Sequence, residues 1–185
     1  SQWFLLGAEL VTLLIFAVVA LWKVYSGDAP ATSVNPSLDW LNPFSIDSTS
    51  SLTAGILVAI FIYWGWDSLV SVNEETEDKE RTPGVAAIVS TIILVFIYVI
   101  VSIAAQSFHG PEYLVENSDD VLSALGKDVL GTPWDKLLII AVLTSASAST
   151  QTTILPTTRT SLSMASKGAL PKSFARIHPR YLTPS

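Results

Sequence analysis

Cysteine is absent from these 185 residues. That removes disulfides, thiolate catalysis and cysteine-bound zinc together. Charge is scarce, at 14% of residues, and its balance is acidic, with ten Lys or Arg against sixteen Asp or Glu. The net charge of −6 disfavours nucleic acid as a partner, because phosphate binding wants clustered Lys and Arg on an exposed face. What replaces charge is apolar surface: half of the residues are hydrophobic and the mean hydropathy is +0.49. A soluble domain of this length has no core large enough to hide that composition, so the chain reads as a membrane protein whose first partner is the lipid bilayer. It opens at Ser1 with neither a methionine nor a cleavable leader pattern, and it reads as a fragment of something longer.

Four apolar runs follow one another. Trp3 to Trp22 carries a single charge, Glu9, and is bracketed by tryptophans, whose rings favour the membrane interface. Leu52 to Val72, Gly84 to Ala105 and Leu137 to Thr157 complete the set. A helix rising 1.5 Å per residue needs about 20 residues to cross a ~30 Å hydrocarbon core. Each run is long enough, and too long for a barrel strand. The expected organisation is a transmembrane helix over 3–24, an external linker over 25–51, a second span over 52–72 and a cytoplasmic loop over 73–83. A span over 84–105, an external loop with a short helix over 106–134, a span over 135–158 and a cytoplasmic loop over 159–185 follow. The linker contains Pro30, Pro36 and Pro43 and reads as irregular.

Basic residues orient these spans. Lys79, Arg81, Arg159, Lys167, Lys172, Arg176 and Arg180 fall on one side, against Lys23, Lys127 and Lys136 on the other. The positive-inside rule puts the first group in the cytoplasm. Between Ser118 and Gly131, Val121, Leu122, Leu125 and Val129 recur at helical spacing, with Ser118 as the expected cap. This predicts an amphipathic helix on the outer face, either covering a bundle edge or forming a lid over a substrate path. His109 and His178 fall in loops, have no partner cluster and receive no role.

The second run is unusual. Phe61-Ile62-Tyr63-Trp64-Gly65-Trp66-Asp67 places a glycine between two tryptophans and then a bare carboxylate in an apolar span. A charge at the bilayer centre costs at least ~2.5–3.5 kcal/mol, so such a residue faces a cavity or a partner. Gly65 supplies the freedom to interrupt a helix, and interrupted helices expose carbonyls and half-helix ends to a substrate near mid-membrane. The competing reading is close helix packing at Gly65 with the aromatics facing lipid. On the fourth run, Ser145, Ser149, Thr152 and Thr153 share one face. Glu74, Glu75, Glu77, Asp78 and Glu80 lack calcium-loop spacing, so no metal site is expected. Glu74 and Glu75 are placed to pair with Arg81 or with the basic residues of 159–180 as an inner gate.

The ordered set Phe61 to Asp67, Glu74-Glu75, Arg81-Thr82-Pro83, Arg159 to Met164 and Gly168-Ala169-Leu170-Pro171 resembles the amino acid–polyamine–organocation permeases. The resemblance covers nearly the whole chain and corresponds to their helices five to eight. It implies an all-α integral membrane protein with a partial leucine-transporter-type fold of four transmembrane helices, the second discontinuous. It also implies that carbonyls around Phe61 to Trp64 receive a substrate amine, with Phe61 closing over it. Asp67 would either cap the second half-helix or titrate as the site opens and closes. Some relatives carry a basic residue on the first of these helices in place of a sodium ion. Glu9 is acidic, so either it carries a coupled proton or it helps bind a cation with Ser145 and Ser149.

The expected function is therefore secondary transport of an amino acid or related amine across the plasma membrane by alternating access. Coupling is to protons or by exchange, with H+ or Na+ as the coupling ion and no other cofactor. A membrane sensor using the same site is the alternative. An intramembrane aspartic protease would need a second intramembrane aspartate, so enzymatic chemistry is not expected. The residues leave the oligomeric state open.

Overall fold

A computed structural model describes residues 2–46, 48–63, 65, 76, 78 and 80–180. Among the described residues the regular structure is all helical. Helices α1 (Gln2–Ser26), α2 (Thr49–Ile62), α3 (Thr82–Glu116), α4 (Val121–Leu130) and α5 (Asp135–Ser166) follow in order. Single 3-10 turns occupy Leu38–Leu41, Pro43–Ser45 and Lys172–Ala175.

Among the described residues, α1, α3 and α5 are long and apolar enough to cross a membrane. A backbone in hydrocarbon must satisfy its polar groups internally, which a helix does within itself. The second span is described only through its first half. Helix α2 starts at the Ser48 cap, whose Oγ accepts the Ser51 amide at 3.1 Å, and closes at Ile62. Its 14 residues rise ~21 Å, short of a full crossing.

The core gathers at one end of the bundle. Phe16, Ala17, Ala20 and Val24 of α1 meet Ala104 and Phe108 of α3, Leu125 and Val129 of α4, and Leu138 of α5. Ala17 and Ala20 are fully buried, and their small side chains let α1 approach α3 closely. In hydrocarbon this contact gains packing rather than release from water, so shape complementarity matters more than apolar area.

Several ends differ from the apolar runs that foretold them. Helix α3 continues past 105 to Glu116, although hydropathy falls beyond Ala105. Phe108 explains this, because its buried ring anchors the extra turn in the core. Gly110 then turns the chain with φ 81° and ψ 163°, and Pro111 opens the last helical stretch, where its missing N–H is tolerated. His109 consequently lies in a helix and not in a loop. Helix α5 runs through Pro156 to Ser166. The cap of α4 is Asp120 rather than Ser118, since the Asp120 carboxylate reaches the Ser123 amide at 3.3 Å.

Candidate functional site

Glu9 lies on the face of α1 that packs against α5, half-buried. It lines a cavity of about 390 Å³ with Trp3, Leu6, Ser145, Ala148, Ser149 and Thr152. A second cavity, of about 340 Å³, shares Glu9, Ser145 and Ser149 and reaches toward Leu122 of α4. Three predicted coupling residues from two distant runs are thus brought together.

The hydroxyls of α5 separate into two kinds. Thr144, Ser147, Thr150, Thr152, Thr153 and Thr157 donate to helix carbonyls three or four residues back, at 2.7 to 3.2 Å. Such back-bonding is the ordinary fate of Ser and Thr in a membrane helix. Among the described residues, the Ser145 and Ser149 hydroxyls have no such bond. They are the two that face Glu9 in both cavities. A carboxylate accepts hydrogen bonds and a hydroxyl can donate or accept, so this cleft can hold a small cation or a proton-bearing group. Thr153, on the same predicted face, does not line it.

Only part of the predicted substrate stretch can be placed. Trp64, Trp66 and Asp67 lie outside the described residues. Phe61 and Ile62 end α2, and Phe61 is 67% exposed. Tyr63 caps the helix, its amide donating to the Ala59 carbonyl at 3.0 Å. Gly65 has φ +122°, a conformation that side chains rarely adopt. Tyr63 meets Tyr98 of α3 edge to face, with ring centroids 5.5 Å apart. These two tyrosines line a cavity of about 600 Å³ with Trp40, Ile62, Ser102 and Gln106. Sequence reasoning missed Tyr98 because one tyrosine in an apolar span has no local signature.

The proposed inner gate is only partly visible. Glu74 and Glu75 lie outside the described residues. Arg81 is exposed at the start of α3, and its backbone amide donates to Asp78 at 3.2 Å. Among the described residues there is no cluster of three or more His, Cys, Asp or Glu suited to a metal ion.

Long apolar helices packed through small residues, one short helix closing at an aromatic cap and an acidic group sharing a cleft with two serines are consistent with part of a membrane transporter fold. The amino acid permease family matches residues 1–185, and the chain belongs to that family. It is similar to a serine/threonine exchanger of Bacillus subtilis, 25% identical over 179 residues, or 95% of this chain and 38% of that protein. The human Asc-type amino acid transporter 1 is 26% identical over 179 residues, 96% of this chain and 33% of the transporter. The vacuolar cationic amino acid transporter 4 of Arabidopsis thaliana is 27% identical over 143 residues, 77% and 23% of the two chains. The chain thus spans between about a fifth and two fifths of these relatives. No solved structure matches it significantly.

Proposed function

We propose that the complete protein is a plasma-membrane permease that imports or exchanges an amino acid or a related amine, with protons as the coupling ion where transport is driven. The observation that carries this reading, beside the family, is the cleft that Glu9 lines together with Ser145 and Ser149, two α5 serines whose hydroxyls make no helix back-bond among the described residues. A carboxylate in an apolar helix that shares a cleft with two hydroxyls is what a membrane protein retains for moving or holding charge.

The substrate site would form at the end of α2. The closing of that helix at Ile62 and the positive φ of Gly65 support carbonyls around Phe61 to Trp64 as ligands for the amine. Phe61 would cover it, adding ~0.5–2 kcal/mol of cation–π attraction. Asp67 would cap or titrate beside the break, and Glu74, Glu75 and Arg81 would close the inner side. Helices outside this chain would supply the rest of the site, and transport would follow as one group of helices rocks against the other. No covalent bond is made or broken in this cycle, so the protein is not an enzyme.

The test is radiolabelled amino acid uptake by the full-length protein. Phe61→Ala and Asp67→Asn should each lower uptake at least severalfold at equal surface expression. Wild-type uptake by both variants would remove the proposed site.

A further inference from the structure

At the packed end of the bundle, a polar cluster stands apart from the Glu9 cleft and from α2. His109 Nε2 lies 2.8 Å from Asp128 Oδ2 on α4, and its Nδ1 lies 3.3 Å from Thr32 Oγ1 in the connection after α1. The Tyr113 ring stacks on the imidazole, with centroids 3.8 Å apart and planes 9° from parallel. Its hydroxyl donates to the same Asp128 oxygen at 3.3 Å. Lys23 at the end of α1 donates to the Asp128 carbonyl at 3.2 Å. The Val34 amide donates to the Ser107 carbonyl at 2.8 Å, holding the connection against α3.

The chemistry fixes the direction of the bond to Asp128. A carboxylate only accepts, so Nε2 carries the hydrogen toward Asp128, while the Thr32 hydroxyl, which can donate or accept, matches Nδ1 in either protonation state. One imidazole therefore links three segments distant in sequence. Its side chain is 11% exposed and that of Asp128 41%, so the pair sits at the rim, over buried Phe108, Leu125 and Val129.

We propose that this cluster is an outer latch, with His109 the positioning residue that fastens α4 to the end of α3 and to the connection carrying Thr32. The three segments then move as one cap over the α1–α3 seam. Helix α4 needs such a fastening. Ten residues make a marginal helix alone, and only Leu125, Gly126 and Val129 of it are buried. With few apolar anchors, a rim of polar bonds decides how often the cap lifts. The latch is a property of α4 and stands whether or not the protein moves a substrate.

The chain has no cysteine, so introduced thiols report cleanly once any elsewhere in the full-length protein are replaced. Val129→Cys places a thiol beneath the cap, and Ala104→Cys places one in the α1–α3 seam. The full-length protein in lipid nanodiscs is treated with a small hydrophilic maleimide. His109→Ala and Asp128→Ala should each raise the labelling rate at position 129 roughly threefold to tenfold, the effect of losing about one net hydrogen bond. Combined, they should raise it by less than the product of the two single effects, because both remove the His109–Asp128 link. Asp128→Asn, whose amide oxygen still accepts from Nε2, should stay near the parent rate. Position 104 should stay protected throughout. Unchanged labelling at 129 in both alanine variants would overturn the latch. So would labelling of 104 together with 129, which would mark general loosening.

Discussion

Gly110 is the joint on which the outer cap turns, and replacing it tests the geometry of that whole end. Its φ of 81° and ψ of 163° interrupt α3 between His109 and Pro111. That region is open essentially to glycine alone, and a side chain there costs ~1–3 kcal/mol. Space adds to the cost, since a Cβ on Gly110 would stand 3.3 Å from the Thr32 carbonyl oxygen. The connection must then withdraw by a few tenths of an ångström, stretching the 3.3 Å Thr32–His109 contact. Gly110→Ala should therefore shift the cap toward its open form by about 1–3 kcal/mol, roughly fivefold to 150-fold in population. Amide hydrogen exchange by mass spectrometry on the full-length protein reads this directly. Protection over 121–130 should fall by that factor, while residues 10–20 of α1 keep theirs. Pro111→Ala serves as the control, because it leaves Gly110 free to turn. Unchanged exchange over 121–130 in Gly110→Ala, or an equal loss in Pro111→Ala, would refute the reasoning.

Three further predictions concern the transport reading. In proteoliposomes without sodium, an imposed pH gradient should drive accumulation by the full-length protein, and Glu9→Gln should abolish that dependence; no pH response in the wild type would end the proton hypothesis. Ser149→Ala should lower gradient-driven uptake severalfold, whereas Thr150→Ala should change it less than about twofold, because the Thr150 hydroxyl is committed to the Ala146 carbonyl at 2.9 Å. Equal effects in those two uptake assays would remove the distinction between the hydroxyls. Tyr98→Ala should lose the edge contact with Tyr63, worth ~0.5–1.5 kcal/mol, and raise the substrate KM roughly twofold to twelvefold, while Tyr98→Phe keeps the ring and the wild-type KM. An unchanged KM in Tyr98→Ala would show that this contact does not support the substrate stretch.

The residues announced the long helices because an uncharged run of some twenty positions has one economical solution in hydrocarbon. They did not announce where those helices stop. Beyond Ala105 the composition turns polar, and a local reading ends α3 there. The helix persists because Phe108 is buried against α1 and α4, a fact about tertiary packing. The meeting of Glu9 with Ser145 and Ser149 was partly legible, since a helical period of four puts the two serines on one stripe. Which α5 hydroxyls would be back-bonded was not, because rotamers choose between helix carbonyl and cleft. His109 was missed for a different reason. Its partners are 77 and 19 residues away, and the one nearby signal was Tyr113 four positions on. That pair, followed by an amphipathic helix bearing Asp128, was the available clue.

The proposed substrate stretch and the Glu9 cleft lie on different helices, and this restricts how one could influence the other. Glu9 is held between α1 and α5, whereas Phe61, Ile62 and Tyr63 end α2, which buries no residue of its own among those described. Apolar on every side, α2 has no sequence-encoded preference for one face, so its neighbours must fix its position. Within this chain the ring contact at its end is with Tyr98 of α3, and α3 is also a principal packing partner of α1. Coupling between distant sites needs elements that touch both and have more than one arrangement. Helix α3 carries Tyr98 beside Tyr63 and packs along α1, the helix that bears Glu9, so a small slide of α3 along α1 would change the surroundings of Tyr63 first. Its far end is fastened by His109 and turned at Gly110, so such a slide would pull on the outer cap as well. Loosening the latch should then be felt at Tyr63 through α3, even though His109 does not touch the end of α2.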